Sequence, residues 1–415
     1  MQLPQMARIR QHFPDESLDD VTCSVKKTLI ENGITELIKP GQRIAVSSGS
    51  RGITNIQSIT RTVIDTVREI GGEPFVLPAM GSHGGATSEG QKEVLASYGI
   101  DEDSMECPIE ATMDVVEVGN LSDGTPVLLN RLALEADGVI LVNRIKPHTS
   151  FRGQFESGLM KMMTIGLGSH QGATIAHSQG AEGLARLIPA WGKTILKKAP
   201  ILMGLAIVEN AYEQTLKVEA LTADKFISRE PHLLEIARSS MPQILCKGID
   251  VLIVDQIGKN ISGTGMDTNI IGRMLLPGVK EPTFPGVSRI VALNLTDESH
   301  GNANGVGLAD IITRRLFQKI NFESTYANVF THTFLNRANI PIIMESDKEA
   351  IEAAINVENI DDNKQARIVR ISNTLDIGEI SVSESLLPEL LSKPNIEQIA
   401  KETSIHFDRN GNLIE

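Results

Sequence analysis

The chain has 415 residues, of which 41% are hydrophobic, enough to bury a large core and to divide into two domains. Its net charge of −13 and pI near 5.3 exclude a generally basic nucleic-acid binder, and no run of Lys and Arg supplies a local patch. Cys23, Cys107 and Cys246 are far apart and lack CxxC spacing, the first twenty residues are charged rather than apolar, and no run approaches the ~18 apolar residues of a membrane span. The expectation is a soluble, cytoplasmic α/β protein that meets neither nucleic acid nor membrane.

Val21, Val25, Leu29 and Ile30 have helical spacing and predict a helix over 18–32, stopped by Gly33. A short strand at 43–46 then runs into SSGSRGIT, a helix over 56–70 ends at Gly71 and Gly72, and a strand at 74–77 opens into MGSHGGAT. With a further helix over about 88–98, this strand–loop–helix rhythm is that of a parallel sheet with crossover helices. Residues 115–130 alternate in the manner of a hairpin, turning at SDGT. The apolar run GVILV at 138–142 reads as a buried parallel strand that empties abruptly into polar residues.

Further along, strands are expected at 202–208 and 216–220, and a helix over 228–245. A second α/β unit begins with the strand at 248–255 and its loop QIGKNISGTG, and continues through a strand at 289–295 and a helix over 308–320. A strand at 340–344, a helix over 348–355 and a strand at 366–371 follow. The tail holds a helix near 384–391 and a hairpin over 405–414 turning at Asn410 and Gly411. The resulting division is an N-terminal α/β domain over 1–228, a helical linker over 229–247, a C-terminal α/β domain over 248–376, and a tail over 377–415 returning to the N-terminal domain. The fold class is two α/β lobes with mostly parallel sheets and an active-site cleft between them.

The polar loops stand at the carboxyl ends of strands, where ligands sit in open α/β sheets. They carry Arg51, His83, His148 and the pair Gln256 and Lys259. Each has a plain reading as well: a solvated arginine, or a histidine satisfying backbone groups. The stretch from Asn143 to Gly180 is the most concentrated, with His148, His170, His177 and Lys161 among glycines. A lysine between Met160 and Met162 is costly unless paired, modified or snorkelling to solvent. One straight helix would set Lys161 and His177 roughly 24 Å apart at 1.5 Å per residue. Gly166, Gly168 and Gly172 argue against such a helix.

GSHGG, PHTSF, SGLMK, TIGLG, TIAH and QIGK, in this order, resemble the nickel-dependent lactate racemase family and its wider set of hydroxyacid racemases and epimerases. The resemblance runs from about residue 43 to 371 and is tightest between His148 and His177. It implies that Lys161 is joined through a thioamide to pyridinium-3,5-bisthiocarboxylic acid mononucleotide, the nickel-pincer nucleotide. It implies too that His177 completes nickel coordination, that His83 and His148 are acid and base on opposite sides of the substrate, and that Arg51, Gln256 and Lys259 hold its carboxylate region. The implied partners are a hydroxy-acid substrate and the enzymes that make the cofactor, with a homo-oligomer left open.

Three departures stand out. The first loop reads SSGSRGIT rather than having an aspartate before its arginine and a proline after it. Gly84 follows His83 where the family has arginine. The step from His148 to Lys161 is a few residues longer. They point to a branch acting on a hydroxy acid other than lactate, a sugar acid included. The residues leave two other readings open: a zinc hydrolase built on His83, His148 and His177, and a two-lobed binding protein for a small anion.

Overall fold

The computed structural model describes residues 3–50, 52–277, 279–332 and 334–414. The chain forms two compact units, one of Pro14–Met241 and the other of Met1–Phe13 with Pro242–Glu415. The first strand, β1 (Met6–Gln11), therefore belongs to the unit that the C-terminal half builds.

In the Pro14–Met241 unit, β2 (Arg43–Ser48), β3 (Glu73–Pro78), a separate hairpin of β4 (Val115–Asn120) and β5 (Pro126–Asn130), β6 (Gly138–Arg144), β7 (Ile201–Glu209) and β8 (Thr215–Thr222) follow in order. The main sheet has the order β3-β2-β6-β7-β8, parallel except for β8. Short β–α–β steps of alternating apolar strands and amphipathic helices produce this arrangement. One sheet face buries Ile44, Val46, Ile140, Val142, Met203 and Leu205 under the Val21–Glu31 and Ile56–Glu69 helices, which contribute Val25, Leu29, Ile59, Val63 and Val67. The opposite face takes the turn at Leu159 and the Phe226–Ser240 helix, both seated on Gly204 of β7. A Cβ there would stand 2.6 Å from Leu159 and 2.7 Å from Phe226.

The second unit continues with β9 (Ile249–Ile257), β10 (Val287–Leu295), β11 (Ile311–Thr313), β12 (Ile342–Met344), β13 (Ile368–Ile371), β14 (Glu379–Ser383) and β15 (Ile396–Gln398). The sheet order is β12-β11-β10-β9-β13-β14-β1-β15; the strands from β12 to β13 are parallel, and β14, β1 and β15 pair antiparallel. Its core gathers Val251, Ile253, Val291, Leu293 and Ile311 beneath Ala350, Ile351, Ala354 and Ile355 of the Asp347–Asn356 helix.

Both sheets are mixed and mostly parallel, as the strand–loop–helix rhythm indicated. Three expectations are corrected. The tail over 377–415 does not return to the N-terminal domain. β14 and β15 pair with β1, because burying Ala7, Ile9 and Gln11 requires partners on both sides. The helix expected as a linker is the Phe226–Ser240 helix packed inside the first unit, and the chain passes between units at Met241 and Pro242. The helix expected over 308–320 begins only at Arg314. Ile311 and Ile312 are drawn into the sheet as β11, and the Thr313 hydroxyl then caps the Arg314–Gln318 helix by accepting the Leu316 N–H at 3.1 Å.

Candidate active site

β2, β3 and β6 are parallel neighbours, so their carboxyl ends lie along one edge of the sheet. β2 leads to Gly49 and Ser50, β3 to His83, and β6 to His148. The Ser50 hydroxyl meets Nδ1 of His83, while Tyr98 donates its hydroxyl proton to the Ser50 carbonyl at 3.2 Å. Gly84, at φ +65°, is fixed by close approach: a Cβ there would stand 2.5 Å from the Gln91 backbone nitrogen. An ion pair of Arg144 and Glu209, at the ends of β6 and β7, steadies the same edge; Glu209 also accepts the Thr54 N–H at 2.8 Å. Arg51 lies outside the described residues.

His148 sits in a loop closed at its base by paired backbone bonds between Lys146 and Ser157, at 3.0 and 3.1 Å. Glu156, 1% exposed, folds under that loop and accepts the backbone N–H of His148 at 2.6 Å and of Gly153 at 3.3 Å. Arg238 donates to the same carboxylate at 3.0 Å. Burial raises the Glu156 pKa, and these donors and the nearby Arg152 oppose the rise. The imidazole of His148 lies 4.4 Å from the buried ring of Phe151, and its Nδ1 accepts the Ser150 N–H at 3.0 Å. A nitrogen that accepts a backbone N–H carries no proton, so neutral His148 is protonated on Nε2. His83 differs, because its Nδ1 faces a hydroxyl able to donate or accept.

Lys161 ends a single turn, Leu159–Lys161, that continues as a π-helical turn, Met162–Gly166, with the Leu167 N–H donating to Met162 at 2.8 Å. Such π turns recur at functional sites. Ser169, at φ +51°, interrupts the helical path before the Ser169–Ser178 helix, so Lys161 and His177 do not lie on one straight helix. Gly172 lies within that helix instead of at the break, against Trp191. The Gly81 N–H donates to Gly166 at 3.2 Å, which bonds the His83 loop directly to the turn after Lys161. Any side chain on Gly166 would meet the Ala79 carbonyl at 2.7 Å. Asn143, near the end of β6, donates to the Gly158 carbonyl at 2.8 Å. Lys161 is half-buried between buried Met160 and Met162; His177 is 9% exposed in the last turn of its helix, and His170 is exposed. Ala173, one turn before His177, abuts Gly81.

The loops of His83 and His148, the Lys161 turn and the His177 helix are thus one packed assembly. Gln256 and Lys259 belong to the other unit, at the carboxyl end of β9 in its parallel sheet. Gln256 is exposed, and the Lys259 ammonium donates to the Gly263 carbonyl at 2.7 Å and to Asn328 at 3.0 Å. Among the described residues, no group of three or more His, Cys, Asp or Glu is placed to hold a metal ion, so His83, His148 and His177 form no zinc site of that kind.

Sequence reading passed over Glu230 and Arg238, both on the Phe226–Ser240 helix. Glu230 accepts the Met160 N–H at 3.0 Å, and Arg238 supports Glu156. The available signal was periodicity: Phe226, Glu230, Leu233 and Ala237 share one face, which puts a carboxyl in an apolar stripe.

A family model of the lactate racemase N-terminal domain matches residues 8–183. No curated protein matches the sequence. Among solved structures, the lactate racemase apoprotein from Thermoanaerobacterium thermosaccharolyticum is similar in fold, with a TM-score of 0.56 at 15% identity over 89% of this chain and 99% of that one. A protein from Thermotoga maritima is also similar, with a TM-score of 0.50 at 15% identity over 68% of this chain and 72% of that one. Residues 8–183 thus resemble the N-terminal domain of lactate racemase, and the chain shares its fold with the lactate racemase apoprotein.

Proposed function

We propose that this protein is a nickel-dependent racemase or epimerase of an α-hydroxy acid other than lactate, inverting C2. The observation that carries the reading is the backbone bond between the His83 loop and the turn that follows Lys161, with His148 in the loop after β6, two strands along the same sheet edge from β3. The donor set fits a lysine-tethered nickel-pincer nucleotide. Lys161 offers an amine at the rim of a buried turn, and His177 offers one imidazole where the pincer itself would supply the metal's other donors. When bound, that group supplies an electrophilic pyridinium carbon able to take and return the hydrogen on C2 with its electron pair. Avoiding a carbanion matters because the hydrogen on C2 of a hydroxy acid is only weakly acidic.

The chain's own groups handle the hydroxyl proton. His83, against an adaptable serine hydroxyl, accepts it; His148 presents Nε2–H toward substrate oxygen. Gln256 and Lys259, and Arg51 of the first loop, are the groups proposed to hold the substrate's carboxylate region. Among the described residues no helix is long and apolar enough to cross a membrane. A cytoplasmic setting, service by cofactor-making enzymes, and self-association remain parts of this proposal.

Two measurements test it. Protein made in cells that express the cofactor-making enzymes should carry a mass adduct on Lys161, and an unmodified Lys161 would overturn the reading. With substrate deuterated at C2, the label should be largely retained in the inverted product; rapid washout into solvent would instead indicate a carbanion.

A further inference from the structure

Lys161 is the third residue of a turn whose first two are fixed from different sides. Leu159 packs into the space left by Gly204 on β7, and a Cβ on Gly204 would stand 2.6 Å from its Cδ1. The Met160 side chain runs the other way, against Gly192 of the Gly180–Lys198 helix, where an added Cβ would stand 2.4 Å from its methyl group. Both residues are fully buried. The first N–H groups of any helical turn lack partners within it, and here water does not reach them.

Glu230 supplies the partner. It is 1% exposed, and its Oε2 accepts the Met160 N–H at 3.0 Å, with the Leu159 N–H close enough to lower its pKa. Its Oε1 is buried, has no partner among the described residues, and stands where a Cβ on Gly158 would come within 2.3 Å. A carboxyl left half-satisfied in an apolar face is costly, so packing alone favours an apolar residue at this position. Burial pushes its pKa up to about 8. What an apolar residue lacks is an acceptor for the stranded Met160 N–H directly before Lys161.

We infer that Glu230 is a positioning residue: it fixes the backbone of Leu159 and Met160 so that Lys161 leaves the buried turn in one direction, ready to carry a covalently attached group. The inference rests on reading Lys161 as the attachment point. Glu230 itself touches neither substrate nor cofactor.

Three variants test it: Glu230→Gln, which keeps an acceptor oxygen; Glu230→Leu, which keeps volume without one; and Gly158→Ala, which pushes a methyl group against Oε1. Amide hydrogen exchange is read at residues 158–163 and at β7, and Lys161 adduct occupancy by peptide mass after co-expression with the cofactor-making enzymes. In Glu230→Leu, exchange at Leu159 and Met160 should rise about five- to tenfold, the size of a lost helix cap, with β7 unchanged. Adduct occupancy should fall several-fold in the same variant, and Glu230→Gln should restore both readouts. Should Glu230→Leu fail to fold, Gly158→Ala should give the same local change. Unchanged exchange at 159 and 160, or equal acceleration in β7, overturns the positioning role, as does full adduct occupancy without the acceptor. Wild-type protein lacking the adduct refutes the cofactor reading instead, and the exchange comparison still decides what Glu230 does to the turn.

Discussion

His83 and His148 follow β3 and β6, the strands on either side of β2, yet their partners set them different tasks. His148 is held by Phe151, by Glu156 through its backbone, and by the Ser150 N–H on Nδ1. Its neutral form should show an unprotonated Nδ1 and a protonated Nε2 in 15N NMR, and accepting a proton at Nδ1 requires the Ser150 bond to break. Replacing either histidine with alanine should cost 10²- to 10⁴-fold in interconversion, the usual worth of a general acid–base group, while the Lys161 adduct survives. Histidines in glycine-rich loops after strands were legible in sequence. The tautomer was not, because it depends on a loop closure made by Glu156 eight residues later. Glu230 adds a pH signature. Its folded-state pKa is raised from 4.5 to about 8, so between those values the folded chain keeps a proton that the unfolded chain releases. Stability from this group is present below about 4.5 and is lost as pH rises toward 8. Glu230→Gln should therefore gain on wild type across that window, by up to about 1.4 kcal/mol per pH unit, read as a widening difference in thermal midpoints.

Elements were legible where periodicity was strong and local. The parallel strands of the first sheet and the β4–β5 hairpin emerged from short apolar runs and turn residues. The Ile311–Thr313 strand did not, since three residues running directly into a helix keep the helical spacing of apolar side chains. The Gly180–Lys198 helix was missed for a related reason: Gly183, Pro189 and Gly192 mimic loop composition, although Met160 requires Gly192 to be small. Gly204 is another such position, invisible in a strand pattern because its need comes from Leu159 and Phe226 on other elements. Gly204→Ala should overpack that contact and cost about 1–3 kcal/mol, measured by denaturant unfolding. It should also loosen the Lys161 turn, seen as faster amide exchange at 159–161.

At the scale of the whole molecule, the chain's two ends meet in one sheet. β1 lies between β14 and β15, with Ile9 opposite Ile380 and Gln398. Gln11 adds side-chain bonds in both directions, donating to the Ile377 carbonyl at 2.7 Å and accepting the Leu245 N–H at 2.9 Å. Sequence order gave no hint of this, because a six-residue strand at the N-terminus pairs with partners more than 360 residues away, and loop-closure cost grows only slowly with length. The placement makes a prediction that sequence position alone reverses. Ile9 is fully buried, so Ile9→Ala should cost about 2–5 kcal/mol, the transfer loss of its side chain plus the cavity it leaves. The damage should appear in hydrogen exchange of 379–398 and not in β2, which follows Ile9 closely in sequence but belongs to the other unit. Acceleration confined to 43–48, with 379–398 unchanged, would mean that the N-terminal strand is a part of the first unit after all.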